Sequence, residues 1–158
     1  MLINKLLSEE LNVAWSQVPV ANAFAGTKNG VPMNMGLYER ATWLVQKGAG
    51  AAGTATFTVE ACSDTSGTGA TAIPFTYRRE NANSVAGAIT QATAAGFTST
   101  AGANEVYIIE AKASDTLDGK PYLRLKSVEV VVGAVDGAVL CVLGNPRYSG
   151  AELPSAIA

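Results

Sequence analysis

The chain has 158 residues, 48% of them apolar, and its 11 basic and 13 acidic residues give a formal net charge of −2. That length suits one domain with its own core, and that charge balance lacks the basic footprint of a nucleic-acid binder. There is no histidine, which removes Ser-His and Cys-His relays and most zinc ligand sets.

Charged residues make up only 15% of the chain, against about a quarter in ordinary globular proteins. Glycine, alanine, threonine and serine are abundant, which favours short strands, tight turns and a surface partly covered by neighbours. The start, "MLINKLLSEEL", carries one lysine and two glutamates. It has neither the apolar stretch nor the cleavage site of a signal peptide. No apolar run is long enough for a membrane-spanning helix, so no membrane partner is expected. Two cysteines, Cys62 and Cys141, do not make a disulfide scaffold. Buried free thiols fit them better than a bridge, and a single disulfide stays open at this point.

In chain order, residues 2–11 have the spacing of a short amphipathic helix, with Leu2, Leu6 and Leu7 near one face. Residues 12–36 read as an extended arm, punctuated by Pro19, Pro32 and the turn signal Asn29-Gly30. Val18, Val20 and Phe24 are apolar there without a stable period. The domain layout expected is an arm over 1–36, a β-domain over 37–150 and a loose tail over 151–158.

The β-domain opens with "ERATWLVQK", which places Ala41, Trp43 and Val45 opposite Thr42, Leu44 and Gln46. After the turn "GAGAAG", "TATFTVEAC" puts Phe57, Val59 and Ala61 inward and Thr56, Thr58 and Glu60 outward. "SDTSGTG" is a turn, and "TAIPFTYRR" resumes strand character, with Pro74 marking an edge, end or bulge. Residues 83–96 mix helical spacing with Gly87 and three threonines, and are read as strand or irregular. "NEVYIIEAKA" is a strand with Val106 and Ile108 on one side and Tyr107 and Ile109 on the other. "PYLRLKSVEVVVG" is a long strand whose phase slips near Ser127-Val128, the mark of a bulge. "AVLCVLGNP" returns the chain. About seven short strands joined by turns, with no crossover helices, specify an all-β fold: an antiparallel sandwich or barrel-like domain.

No assembled chemistry is visible. Nucleophile elbow, phosphate loop and dinucleotide fingerprint are all missing. Asp64, Asp115, Asp118 and Asp136 sit in turns, where aspartate commonly bonds its own backbone. Asp115 and Asp118 lack the ligand density of a calcium loop. The expectation is a non-enzyme with no metal and no cofactor. What does stand out is burial demand. "YII", "VVV" and "AVLCVLG" are apolar on both strand faces, whereas a two-layer sandwich wets the outside of each sheet. A second cover is needed: the arm, the 83–96 segment or another subunit. The assembly contacts expected are Leu2, Leu6, Leu7, Val18, Val20 and Phe24 in the arm, with Tyr107, Ile109 and Leu140 in the strands.

The stretch "GLYERATWLVQKG", the following "GTATFTVEACSDTSGTGATAIPF" and the closing "LGNPRYSG" give residues 30–150 a resemblance to small structural proteins of tailed-bacteriophage virions, among them capsid decoration and other head-associated proteins. The resemblance implies a β-domain that binds the outside of the capsid and stabilises it. The two-faced apolar strands point to a homo-oligomer, with a trimer favoured, and the resemblance implies the major capsid protein as partner. Its implied place is the virion's capsid surface, after synthesis in the host cytoplasm. A head-tail connector or tail component, and a carbohydrate- or receptor-binding β-module, are the alternatives.

Overall fold

The computed structural model describes residues 6–50, 52–148 and 153–157. Leu7–Glu10 form one helical turn, α1, closed by the Glu9 amide on the Leu6 carbonyl at 2.9 Å. The rest of the helix expected over 2–11 falls largely on residues 1–5, outside the described residues.

Among the described residues twelve strands follow: β1 (Asn12–Val20), β2 (Thr27–Asn29), β3 (Met33–Asn34), β4 (Tyr38–Lys47), β5 (Thr54–Cys62), β6 (Thr71–Ile73), β7 (Phe75–Glu80), β8 (Thr90–Ala92), β9 (Phe97–Thr98), β10 (Glu105–Lys112), β11 (Tyr122–Val131) and β12 (Gly137–Pro146). They make two antiparallel sheets. The first has the order β1-β12-β4-β10-β7-β8, and the second has β2-β11-β5-β6, with β3 also on β11 and β9 also on β5. The all-β expectation holds as a two-sheet sandwich, and among the described residues neither sheet closes into a barrel.

Strict alternation sends one set of side chains between the sheets. Trp43 and Val45 of β4, Tyr107 and Ile109 of β10, and Cys141 and Leu143 of β12 meet Phe57 and Val59 of β5 and Leu123 and Leu125 of β11. The aromatic members touch in series. Phe57 lies edge-on to Phe24 at 5.4 Å, and Phe97 stacks flat on Tyr77 at 3.8 Å. The glycine-rich turn after β4 is required by close approach. A Cβ on Gly50, at φ +119°, would sit 2.0 Å from the Ala134 carbonyl oxygen. The phase slip expected near Ser127-Val128 is a bulge two residues further on, between Glu129 and Val131.

Two segments behave differently from the expectation. From Asn12 onward the arm is part of the sandwich: β1 pairs with β12, and β2 and β3 pair with β11. Between them the chain drops Ala23 and Phe24 into the core, and Met33 and Met35 are buried too. The arm shows no single period because it serves two sheets and the space between them. The tail is pinned where it is described. The Pro154 carbonyl accepts from Asn12 Nδ2 at 3.0 Å and from the Tyr38 hydroxyl, and Ala156 is buried.

The 83–96 segment is irregular apart from β8, as read, and Val85 and Ile89 point to solvent. Both cysteines are free and buried, and burial pushes the Cys141 thiol well above its ordinary range.

Replacing Phe24 with alanine is expected to cost about 3–5 kcal/mol, the range for a buried phenylalanine. Deleting residues 1–30 is expected to abolish the cooperative transition, because it removes β1, β2 and two core side chains. Urea titration followed by circular dichroism checks both.

Candidate functional site

The register of the first sheet lines up its outward side chains in rows. The central row is Trp15, Leu140, Leu44 and Ile108, ending at Arg78. One row over come Val13, Val142, Thr42 and Glu110. On the other side come Ala138, Gln46, Val106 and Glu80. Trp15 is 48% exposed and Val13 58% exposed, while Leu140, Leu44 and Ile108 are half-buried by one another. Among the described residues, neither of the internal covers considered from sequence lies over this face. The arm joins both sheets as edge strands, and β8 extends the first sheet beyond β7.

The second sheet presents a different exterior. Thr54, Thr56 and Thr58 of β5 stand beside Glu60, whose carboxylate holds Arg124 Nη2 at 2.7 Å and Lys126 Nζ at 3.2 Å. Thr56 and Thr98 hydroxyls bond across strands at 2.8 Å. Over β5 and the first half of β11 this is the polar outer face expected of a two-layer sandwich; the centre of the first sheet lacks one.

The residues expected to make assembly contacts divide accordingly. Leu140 lies in the apolar row, Val18 and Val20 are exposed at the end of β1, and Leu6 is exposed. Tyr107 and Ile109 are 2% and 0% exposed and face the core, as does Phe24. The outward apolar members of β10 are Val106 and Ile108, while Tyr107 and Ile109 turn inward. Leu2 and the side chain of Leu7 lie outside what is described.

Sequence reasoning missed a buried ionic cluster at one end of the sandwich, because its members come from three strands and a loop. Glu105 and Lys47 face inward, with side chains 4% and 1% exposed. Glu105 Oε1 accepts from Arg79 and from Thr100 Oγ1 at 3.1 Å. Oε2 accepts from Thr100 Oγ1 at 2.8 Å and the Tyr107 hydroxyl at 2.9 Å, with Lys47 Nζ 3.8 Å away. Lys47 Nζ also donates to the Thr100 carbonyl at 2.6 Å. Burial works to raise the Glu105 carboxyl, but the hydrogen bonds from Arg79, Thr100 and Tyr107 outweigh it and hold it below the ordinary range. Burial pushes the Lys47 ammonium down, with Glu105 opposing, and pushes the Tyr107 hydroxyl up. Both carboxylate oxygens are committed to internal donors. The cluster therefore works as a clasp tying β4, β7, β10 and the 99–100 loop together.

Two of the four turn aspartates, Asp64 and Asp115, bond nearby backbone as expected. Asp64 Oδ1 accepts from the Ser66 and Thr68 amides at 2.9 and 3.0 Å, and Asp115 Oδ2 accepts from the Lys112 amide at 2.8 Å. Among the described residues no group of three metal-ligating side chains forms, and no helix is long and apolar enough to cross a membrane.

Compared with known proteins, the chain matches no protein-family model and no curated protein. Among solved structures it is similar to the SPBc2 prophage-derived protein YomS, at 16% identity and a TM-score of 0.46, over 86% of this chain and 94% of that one. A likeness that loose does not by itself fix a shared role.

The clasp makes an acid-sensitive contribution. With its carboxyl held low in the fold, Glu105 stabilises fully above the ordinary carboxylate value of about 4.3, and that contribution is lost as pH falls through the lowered folded value. Glu105→Gln is expected to cost about 3 kcal/mol at pH 7, the low end for breaking a buried pair because Arg79 reaches solvent. The gap between variant and parent should close on acidification below about pH 4. Urea midpoints measured from pH 3 to pH 7 check it.

Proposed function

We propose that this chain is a structural protein of a tailed-phage virion, which assembles through the outward face of its first sheet and binds and stabilises the outside of the capsid. The observation that carries the reading is the row Trp15, Leu140, Leu44 and Ile108 on a face with no internal cover among the described residues. An apolar centre bordered by Arg78, Glu80, Glu110 and Gln46 has the anatomy of a protein contact, with a water-excluding middle and a polar rim. The resemblance of residues 30–150 to phage head-associated proteins points to a capsid as the surface contacted. The low charge suits a surface that spends its working life covered.

The reading also fits what the fold does with its polar groups. The buried carboxylate and lysine are locked to internal partners, which is the condition of a scaffold. Trp15 distinguishes a protein contact from a sugar platform. A sugar platform sets an aromatic ring beside polar side chains, whereas the outward neighbours of Trp15 on β12 and β1 are Leu140, Val142 and Val13.

Shells assembled from the major capsid protein of the same phage provide the test. Parent protein should co-sediment with them, and the double variant Trp15→Glu, Leu44→Glu should bind at least tenfold more weakly while keeping its β-sheet circular dichroism. Undiminished binding by the folded double variant would remove this face from the attachment surface and sink the proposal.

A further inference from the structure

The apolar patch of the first sheet spans four strands and three rows. At about 4.8 Å between strands and 6.8 Å between like-facing residues, its footprint is about 400 Å² once side-chain width is included. A stable interface needs about 800 Å² from each partner. A second surface must therefore contribute, and the molecule carries two uncovered apolar features of opposite shape.

One projects. Past the β11 bulge, Val130, Val131 and Val132 are 56%, 48% and 83% exposed, and Val128 stands beside them on the outer face of the second sheet. The other is hollow. At the end of the first sheet's outer face, Pro19, Val20, Ala21, Gln46, Val106 and Ala138 line an open depression of about 710 Å³. The charges beside the two features are opposite. At the depression the buried Lys47 and Glu105 offset one another, and Asp136 is exposed. Around the valine ridge, Lys126, Arg124 and Lys28 of the neighbouring β2 outnumber Glu60 and the ridge's own Glu129 by one positive charge.

We infer that the valine ridge 128–132 of one copy seats in the depression of a second copy, so that identical chains stack with the second sheet of one against the first sheet of the next. The inference rests on the reading of the chain as an assembling structural protein. Ridge and depression lie on opposite outer faces, so each copy gives one and receives one. Such a contact is heterologous, and it closes only as a ring of three or more. Because both features sit at the same end of the sandwich, that end faces the ring axis.

Light scattering at tens of micromolar should return a mass of three or more copies of the 16.2 kDa chain. Val132→Asp on the ridge and Gln46→Arg in the depression should each give a folded monomer. Mixing the two should give a complex of one copy of each, because each variant retains the half that the other lacks. The inference is overturned by a monomeric or dimeric parent, by either variant keeping the parent mass, or by folded variants that fail to pair when mixed. A monomeric parent that still co-sediments with shells overturns this contact and leaves the proposed function standing. Loss of shell binding in the parent removes both.

Discussion

Three neighbouring strands of one sheet are apolar on both sides, in a fold that has only two layers. β4, β10 and β12 send Trp43, Tyr107, Ile109, Cys141 and Leu143 into the core. The same strands send Leu44, Val106, Ile108, Leu140 and Val142 outward. Fully burying one such side chain is worth about 1.5–3 kcal/mol, so the isolated chain leaves several kcal/mol of burial unrealised on its outer face. The remaining segments do not relieve this. Among the described residues, the stretch before β4 lengthens both sheets and plugs the space between them, the stretch around β8 lengthens the first, and neither lies over this outer face.

The two exteriors of the sandwich are correspondingly unlike. One is threonine and ion pairs, with Glu60 shared between Arg124 and Lys126. The other is leucine, isoleucine, valine and tryptophan. The division is not complete, because the exposed valines 128–132 interrupt the polar exterior at one end of β11. The buried clasp around Glu105 keeps this asymmetry rigid at one end, because it locks β7 and β10 to β4 by charge-assisted bonds that cannot slide in register.

Much of the fold was legible because strand alternation is a local signal. Trp43, Phe57 and Leu123 declare their faces through their immediate neighbours, and the structure buries all three. The double-sided apolar character of β10 and β12 was legible for the same reason. Which of the two sides faced the core was not, since the sequence around Tyr107 and Ile108 is symmetric in hydrophobicity. That choice is made by the phase of β4 across the ladder, where Ile109 pairs with Trp43 and Tyr107 with Val45. The arm was misleading because one segment supplies edges to two sheets and a plug between them, and no single period describes that. The ionic clasp was invisible because Lys47, Arg79, Thr100 and Glu105 converge only after three strands pair.

The sheet edges set how the molecule meets others. The second sheet has no continuous edge: one side is split between β2 and β3, and the other between β6 and β9, none longer than three residues. The first sheet ends on the three-residue β8 at one side. At the other it ends on β1, which carries Pro19 and two register breaks. Backbone groups at such borders cannot template a new strand over any length. Copies crowded together at high local concentration are thereby denied the indiscriminate backbone zippering that turns β-proteins into fibres. Association is left to side chains, which discriminate between partners and release them again.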